Sequence, residues 1–168
     1  MARSSFVSFH YQRDHWRVQQ ILRMGALENQ TVLPAQDWEQ VKRRGERAVY
    51  NWIDEQMNYK QAVVVMIGAE TSSRRFVQYE IRRAWEIGKP LLGINIHGLK
   101  NADGFPDRQG ANPFAQFGFN DSSKTFADYV PVFDPAEASR SIAPTSADIY
   151  ATIANNIAGW ANRGYCRP

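Results

Sequence analysis

Apolar and polar positions change period several times along the chain, and the changes divide it into alternating strands and helices. Ser5-Phe6-Val7-Ser8-Phe9 alternates with period two and predicts a first strand. Asp14 then stands as a helix cap ahead of Val18, Ile21 and Leu22 on one face, with Gly25 as the stop. Thr31-Val32-Leu33 predicts a short second strand ended by Pro34. Asp37-Trp38-Glu39-Gln40 carries a capping-box pattern in which Asp37 caps and Gln40 reaches back. The helix it opens is predicted to run to about Met57, with Val41, Ala48, Val49, Trp52 and Ile53 turned inward and Trp38 as a core anchor.

The run from Ala62 to Ile67 is continuously apolar and β-branched, the signature of a strand covered on both faces. Ser72 or Ser73 is placed to cap a third helix ending at Gly88, and Pro90 to Ile96 reads as another buried strand. From 98 to 125 the pattern loosens around Gly98, Gly104, Gly110 and Gly118 with Pro106 and Pro113, which predicts a long loop or insertion. Tyr129-Val130-Pro131-Val132-Phe133 predicts an edge strand, because Pro131 has no N–H to give to a ladder. Ser146 is read as the cap of a final helix with Ile149, Ile153, Ile157 and Trp160 at helical spacing. Alternating strands and helices predict a single α/β domain over 1–168, with a mostly parallel sheet and helices on both faces. Ligands bind such sheets at the carboxyl ends of the strands, here after Phe9, Leu33, Ile67 and Ile96.

Composition narrows the class. A chain of 168 residues, 43% hydrophobic and 22% charged, has enough core for one globular domain without staples. Its single cysteine, Cys166, forms no disulfide within the chain and points to a reducing compartment. No apolar run nears the ~20 residues that span a bilayer, and no signal-peptide core follows Arg3, so a soluble cytoplasmic protein is expected. The net charge of +3 is spread through mixed stretches such as Lys42-Arg43-Arg44-Gly45-Glu46-Arg47. That is a solvated helix face rather than a nucleic-acid patch, and it suits an anionic dinucleotide. His10, His15 and His97 with the distant Cys166 show no metal-ligand spacing. No glycine-rich phosphate loop of Rossmann or Walker type is present, which argues against a dehydrogenase or an NTPase.

One carboxylate breaks the amphipathic rule. At about 100° per residue, Phe76 and Ile87 fall within about 40° of Glu80 on one side, and Val77, Ile81 and Ala84 within about 100° on the other. Glu80 therefore lies inside the apolar arc, where an unpartnered glutamate is rare. Two readings follow: an ion pair with Arg83 at the edge of the stripe, or a functional carboxylate in a cleft. Its place two turns into a helix entered from the carboxyl end of a central strand favours the second.

The segment Val63 to Ile67 followed by Thr71-Ser72-Ser73-Arg74-Arg75-Phe76-Val77-Gln78-Tyr79-Glu80-Ile81 resembles the part of TIR domains that carries their NAD-cleaving glutamate. Phe76, Val77 and Ile81 stand where that pattern has tryptophan, cysteine and leucine. Phe6-Val7-Ser8-Phe9-His10-Tyr11, Asp37-Trp38, Gly68-Ala69-Glu70-Thr71 and Gly110-Ala111-Asn112-Pro113-Phe114 resemble the TIR-like signal-producing proteins of the Thoeris anti-phage system. The resemblance runs from about Phe6 to Phe114. It implies a three-layer flavodoxin-like fold and cleavage of NAD+ at the nicotinamide glycosidic bond, with Glu80 catalytic and NAD+ as substrate rather than cofactor. The product it implies is a cyclic ADP-ribose-type or conjugated messenger that switches on a separate effector after an unidentified phage trigger, with self-association expected.

Supporting roles stay open between function and structure. Phe9, His10 and Tyr11 leave the first strand at the expected cleft, where a ring stacks on nicotinamide or adenine; Phe9 as core and His10 as a turn residue are the alternatives. Ser72 is a cap with a phosphate contact as a second job, and Arg75 is either a pyrophosphate partner or solvent-exposed. Phe76 supplies a pocket wall. A non-catalytic TIR-like interaction module is the competing function.

Overall fold

A computed structural model of the chain describes residues 4–23 and 35–168, with the side chains of 35–38 outside the description. The expected strand at Thr31-Val32-Leu33, the Gly25 stop and the side-chain roles of Asp37 and Trp38 lie outside the described residues.

Strand β1 (Ser5–Ser8) leads into α1 (Tyr11–Arg23). Helices α2 (Ala35–Arg43) and α3 (Glu46–Asn58) precede β2 (Ala62–Ile67), and α4 (Arg75–Glu86) precedes β3 (Leu91–Asn95). A small hairpin of β4 (Gly118–Phe119) and β5 (Ser122–Thr125) comes before β6 (Val132–Phe133), the short α5 (Pro135–Ala138) and α6 (Ser146–Ala161). The central sheet has the order β1-β2-β3-β6, all parallel, with Ser8 level with Val65 and Val65 level with Gly93. Successive residues of the buried β2 run serve opposite faces. Val63, Val65 and Ile67 pack with Phe6 against Val49, Ile53, Val77 and Ile81 of α3 and α4. Val64 and Met66 pack with Leu92 and Ile94 against Val18, Ile21, Ile149, Ile153 and Ile157 of α1 and α6. The result is the expected three-layer α/β arrangement.

Several helix starts differ from the sequence expectation, each for a local reason. Asp14 does not cap α1: its N–H donates to His10 O at 2.9 Å, so the helix is already under way, and its side chain is buried against Arg17. Helix α2 begins at Ala35, two residues before the expected cap Asp37. The single long helix expected to about Met57 is broken at Gly45, whose φ of 98° only glycine adopts without strain. Neither Ser72 nor Ser73 caps α4. They belong to a 3-10 turn (Thr71–Ser73), Arg74 holds the cap position without a side-chain bond, and Ser73 Oγ donates instead to Glu70 O at 2.9 Å. Thr145, not Ser146, caps α6 through a reciprocal box with Asp148. Ser146 Oγ accepts from Lys100 N–H at 2.9 Å.

Gly45→Ala places a Cβ in a left-handed conformation and favours one continuous helix across the break. It is expected to cost about 1 kcal/mol, a fall of a few degrees in melting temperature for a chain of this size, readable by thermal denaturation.

The first part of the 98–125 stretch folds onto the sheet's carboxyl end, and its β4–β5 hairpin packs Phe119 against Trp85 near the end of α4. Arg17, 1% exposed, donates to Leu99 O at 2.7 Å, to Phe105 O at 3.1 Å and to Asp14 Oδ1 at 2.8 Å. Arg13 adds a two-pronged bond to Asp107 at 2.6 and 3.0 Å. Further along, Pro113–Gln116 forms a 3-10 turn, and Phe114 is fully buried over Gly93 of β3.

Candidate active site

The alternation of β1 turns Phe6, Ser8 and His10 to the same side of the sheet as α4, and polar groups take over from apolar ones toward its carboxyl end. Opposite them, α4 buries Val77, Ile81 and Ala84 and, with the same face, Glu80 at 7% exposure. Ser8 is 1% exposed and its Oγ donates to Glu80 Oε2. Burial drives the Glu80 carboxyl up to about 8, with the Ser8 hydroxyl pulling in the other direction. The ion pair with Arg83 is not formed. Arg83 instead sits 3.2 Å from Asp54 and 3.6 Å from Glu86, on the flank of α4 that faces α3 and solvent. Among the described residues no cation pairs with Glu80.

Glu80 lines a cavity of about 260 Å³ enclosed by β1, the start of α1, the last turn of α2, α3 and the start of α4. Its apolar wall includes Phe6, Phe9, Trp52 and Phe76, and its cationic wall Lys42, Lys60, Arg74 and Arg75. Ser8 lies behind Glu80 and is not part of the wall.

The structure gathers Glu80, Phe9, His10, Tyr11, Arg75 and Phe76 around this cavity. Phe9 also packs toward the α1/α6 core, so its structural and cavity-facing readings coexist. His10 is buried, with Nε2 3.7 Å from Glu70 Oε2. Desolvation and the nearby Arg74 lower its pKa, favouring the neutral imidazole. The Tyr11 ring lies 5.8 Å from Phe9 and 4.7 Å from His15. Arg75 spans 3.2 Å to Glu46 and lies over the Phe76 ring at 5.2 Å, with its side chain 65% exposed at the rim. Ser72 is not brought to the cavity. Its carbonyl accepts from Gln78 and Gln116 side chains at 2.9 and 2.7 Å, which secures the turn before α4.

Sequence reasoning missed Ser8, Lys42, Trp52 and Arg74. Ser8 left a signal, a polar residue two positions after Phe6 on a face otherwise buried. Trp52 reads as an inward-facing residue without pointing to a cavity, and Lys42 left no signal, since the break at Gly45 sets how α2 and α3 approach β1.

The profile of the TIR-like domain of the Thoeris protein ThsB matches residues 6–101, more than half of the chain and all of the residues discussed around the cavity. The chain belongs to this Thoeris TIR-like family. A relative from Bacillus cereus (strain MSX-D12), provisionally named cyclic ADP-D-ribose synthase ThsB1, is 34% identical over 133 residues, which cover 73% of this chain and 67% of that protein. Among the described residues, no helix of this family member is long and apolar enough to cross a membrane.

Proposed function

We propose that this Thoeris TIR-like chain consumes NAD+, cleaving its nicotinamide glycosidic bond and releasing a cyclic ADP-ribose-type messenger. The observation that carries the reading is Glu80: a buried carboxylate that, among the described residues, pairs with no cation, on a cavity wall at the carboxyl end of a parallel sheet. The provisional name of the Bacillus cereus relative supports the same chemistry. Nicotinamide leaves with the bonding electron pair as a neutral pyridine, so nothing has to protonate it. The ribose anomeric carbon is left with oxocarbenium character, which a carboxylate held in a low-dielectric wall stabilises far better than one in water. A nucleophile within the same ADP-ribose part closes the ring and loses its proton to solvent. Water in its place gives linear ADP-ribose, and another small molecule gives a conjugate.

The substrate assists the ionisation it needs. Its nicotinamide ring is cationic, and a cation seated beside Glu80 pulls the carboxyl down from about 8 toward its charged form. The cavity is slightly below the ~300–1000 Å³ of ordinary ligand pockets, so it suits one half of the dinucleotide, with the pyrophosphate over the cationic rim at Arg74 and Arg75. No further cofactor enters this scheme. Self-association, a phage-derived trigger and a separate effector that reads the messenger complete the proposal.

Mass spectrometry of NAD+ incubated with the protein, and of lysates from infected cells expressing it, decides the reaction. Nicotinamide with a product one water lighter than ADP-ribose is the expected result. No Glu80-dependent product even from infected cells would leave the chain as an interaction module. Alanine at His10 or Arg75 is expected to lower turnover by about tenfold, the scale of one lost polar or stacking contact. Unchanged kinetics would return either residue to a structural role.

A further inference from the structure

Ser8 and Glu80 are 72 positions apart and meet in the interior, one on strand β1 and one on a helix. Among the described residues, the Ser8 hydroxyl is the one group that hydrogen-bonds the Glu80 carboxyl, and it takes a single oxygen, Oε2. Glu80 belongs to the cavity wall and Ser8 does not, so Ser8 reaches any ligand only through Glu80. A serine at this point also departs from its immediate neighbours on this sheet face, Phe6, Val63 and Val65, which are hydrocarbon. A buried hydroxyl that serves only packing loses free energy against an apolar residue of the same volume.

We propose that Ser8 is a positioning residue for the NAD-cleaving step, clamping Oε2 of Glu80 so that Oε1 is presented to the ribose. The proposal rests on the reading of Glu80 as the catalytic carboxylate and assigns the clamp on the sheet side. The bond fixes the rotation of the carboxyl about its terminal torsion, which is otherwise broad and two-fold. It also favours the ionised over the protonated carboxyl, because an O–H donor is worth more to a charged acceptor. The other charges near the site leave this task to Ser8. His10 after β1, Lys42 from α2 and Lys60 after α3 face the cavity, as do Arg74 and Arg75 at the start of α4, while Asp54 of α3 is taken by Arg83. Among the described residues, the hydrogen bond to the Glu80 carboxyl comes from Ser8, and β2 offers only apolar side chains.

The test has one arm that needs no turnover. The Glu80 side-chain carboxyl carbon is followed by 13C NMR against pH in the parent, Ser8→Ala and Ser8→Thr, with melting temperature recorded for each. Ser8→Ala is expected to move the Glu80 midpoint up by about one pH unit, and Ser8→Thr, which keeps the hydroxyl, to restore it. In the second arm, Ser8→Ala is expected to lower kcat for NAD+ at least tenfold at pH 7 with KM within twofold, and to recover part of that loss as pH rises. An unmoved midpoint in Ser8→Ala overturns the proposal. So does a pH-independent loss that Ser8→Thr does not rescue, which marks a packing role. Full turnover in Glu80→Gln sinks the catalytic reading itself, and it is read independently of the titration.

Discussion

Glu80→Gln is expected to abolish NAD+ turnover and to make the protein more stable. Both effects come from the same burial. The substitution keeps the size and shape of the side chain and leaves an acceptor for the Ser8 hydroxyl, but removes the charge that the oxocarbenium-like centre needs. A fall of at least 10³ in kcat is expected, the scale seen when a group that acts mainly on transition-state charge is deleted. The stability gain follows from linkage. The carboxyl sits near its ordinary value in the unfolded chain and at about 8 in the fold, so the folded state holds the proton more tightly. Its destabilising effect is absent below about pH 4, grows as pH rises and levels off above about 8. At pH 7 it is on the order of 3 kcal/mol, or roughly 6–10 °C in melting temperature for a chain of this length. Glutamine carries no such penalty. Melting curves of parent and variant between pH 5 and 9 should therefore diverge with rising pH, the variant on top. Parallel curves would mean that Glu80 is not desolvated.

The largest loss of stability is expected from Arg17→Met. Methionine matches the aliphatic stem but supplies none of the bonds to Asp14, Leu99 O and Phe105 O. Two carbonyls are left without their donor, and Asp14, fully buried with one oxygen already unpartnered among the described residues, loses its counter-ion. Breaking a buried pair from one side costs about 3–5 kcal/mol. Burial already raises the Asp14 carboxyl and Arg17 opposes that rise, so without Arg17 it climbs further. The loss is therefore smallest in acid and grows with pH. Asp14→Asn combined with Arg17→Met is expected to recover part of it, because the stranded charge is gone. Urea unfolding at pH 5 and pH 8 measures both, and limited proteolysis reports whether 99–107 comes free. A single variant as stable as the parent at both pH values would show that the pair contributes nothing net.

How much of this was legible in the residues divides along the range of the interactions. The strands at 62–67 and 91–95 and the helix at 146–161 announce themselves, because burial on one or both faces is written into consecutive side chains. Glu80 was legible for the same reason: a carboxylate inside a helical stripe contradicts its own neighbours. Helix starts were less so. Local capping rules favoured Asp14, Ser72 or Ser73, and Ser146, but other partners had claimed three of those side chains: Arg17, three residues on, for Asp14, the Glu70 carbonyl, three residues back, for Ser73 and the distant Lys100 amide for Ser146. The break at Gly45 falls in a charged stretch where no change of hydrophobic period marks it. The 98–112 segment looks like open loop because its anchor, Arg17, lies 82 positions away from the carbonyl it holds at Leu99. The Ser8 clamp is hidden in the same way, since its partner belongs to a different element.

Strand β1 is four residues long, lies at the edge of the described sheet and is laddered there to β2 alone. Elements as short as this open locally at a fraction of the free energy of global unfolding. Fraying there parts Ser8 from Glu80 and carries His10 off the cavity while β2, β3 and both helical layers stay intact. Under the proposed function, competence in this chain is a softer property than foldedness: on warming, NAD+ turnover is expected to fall before the protein melts.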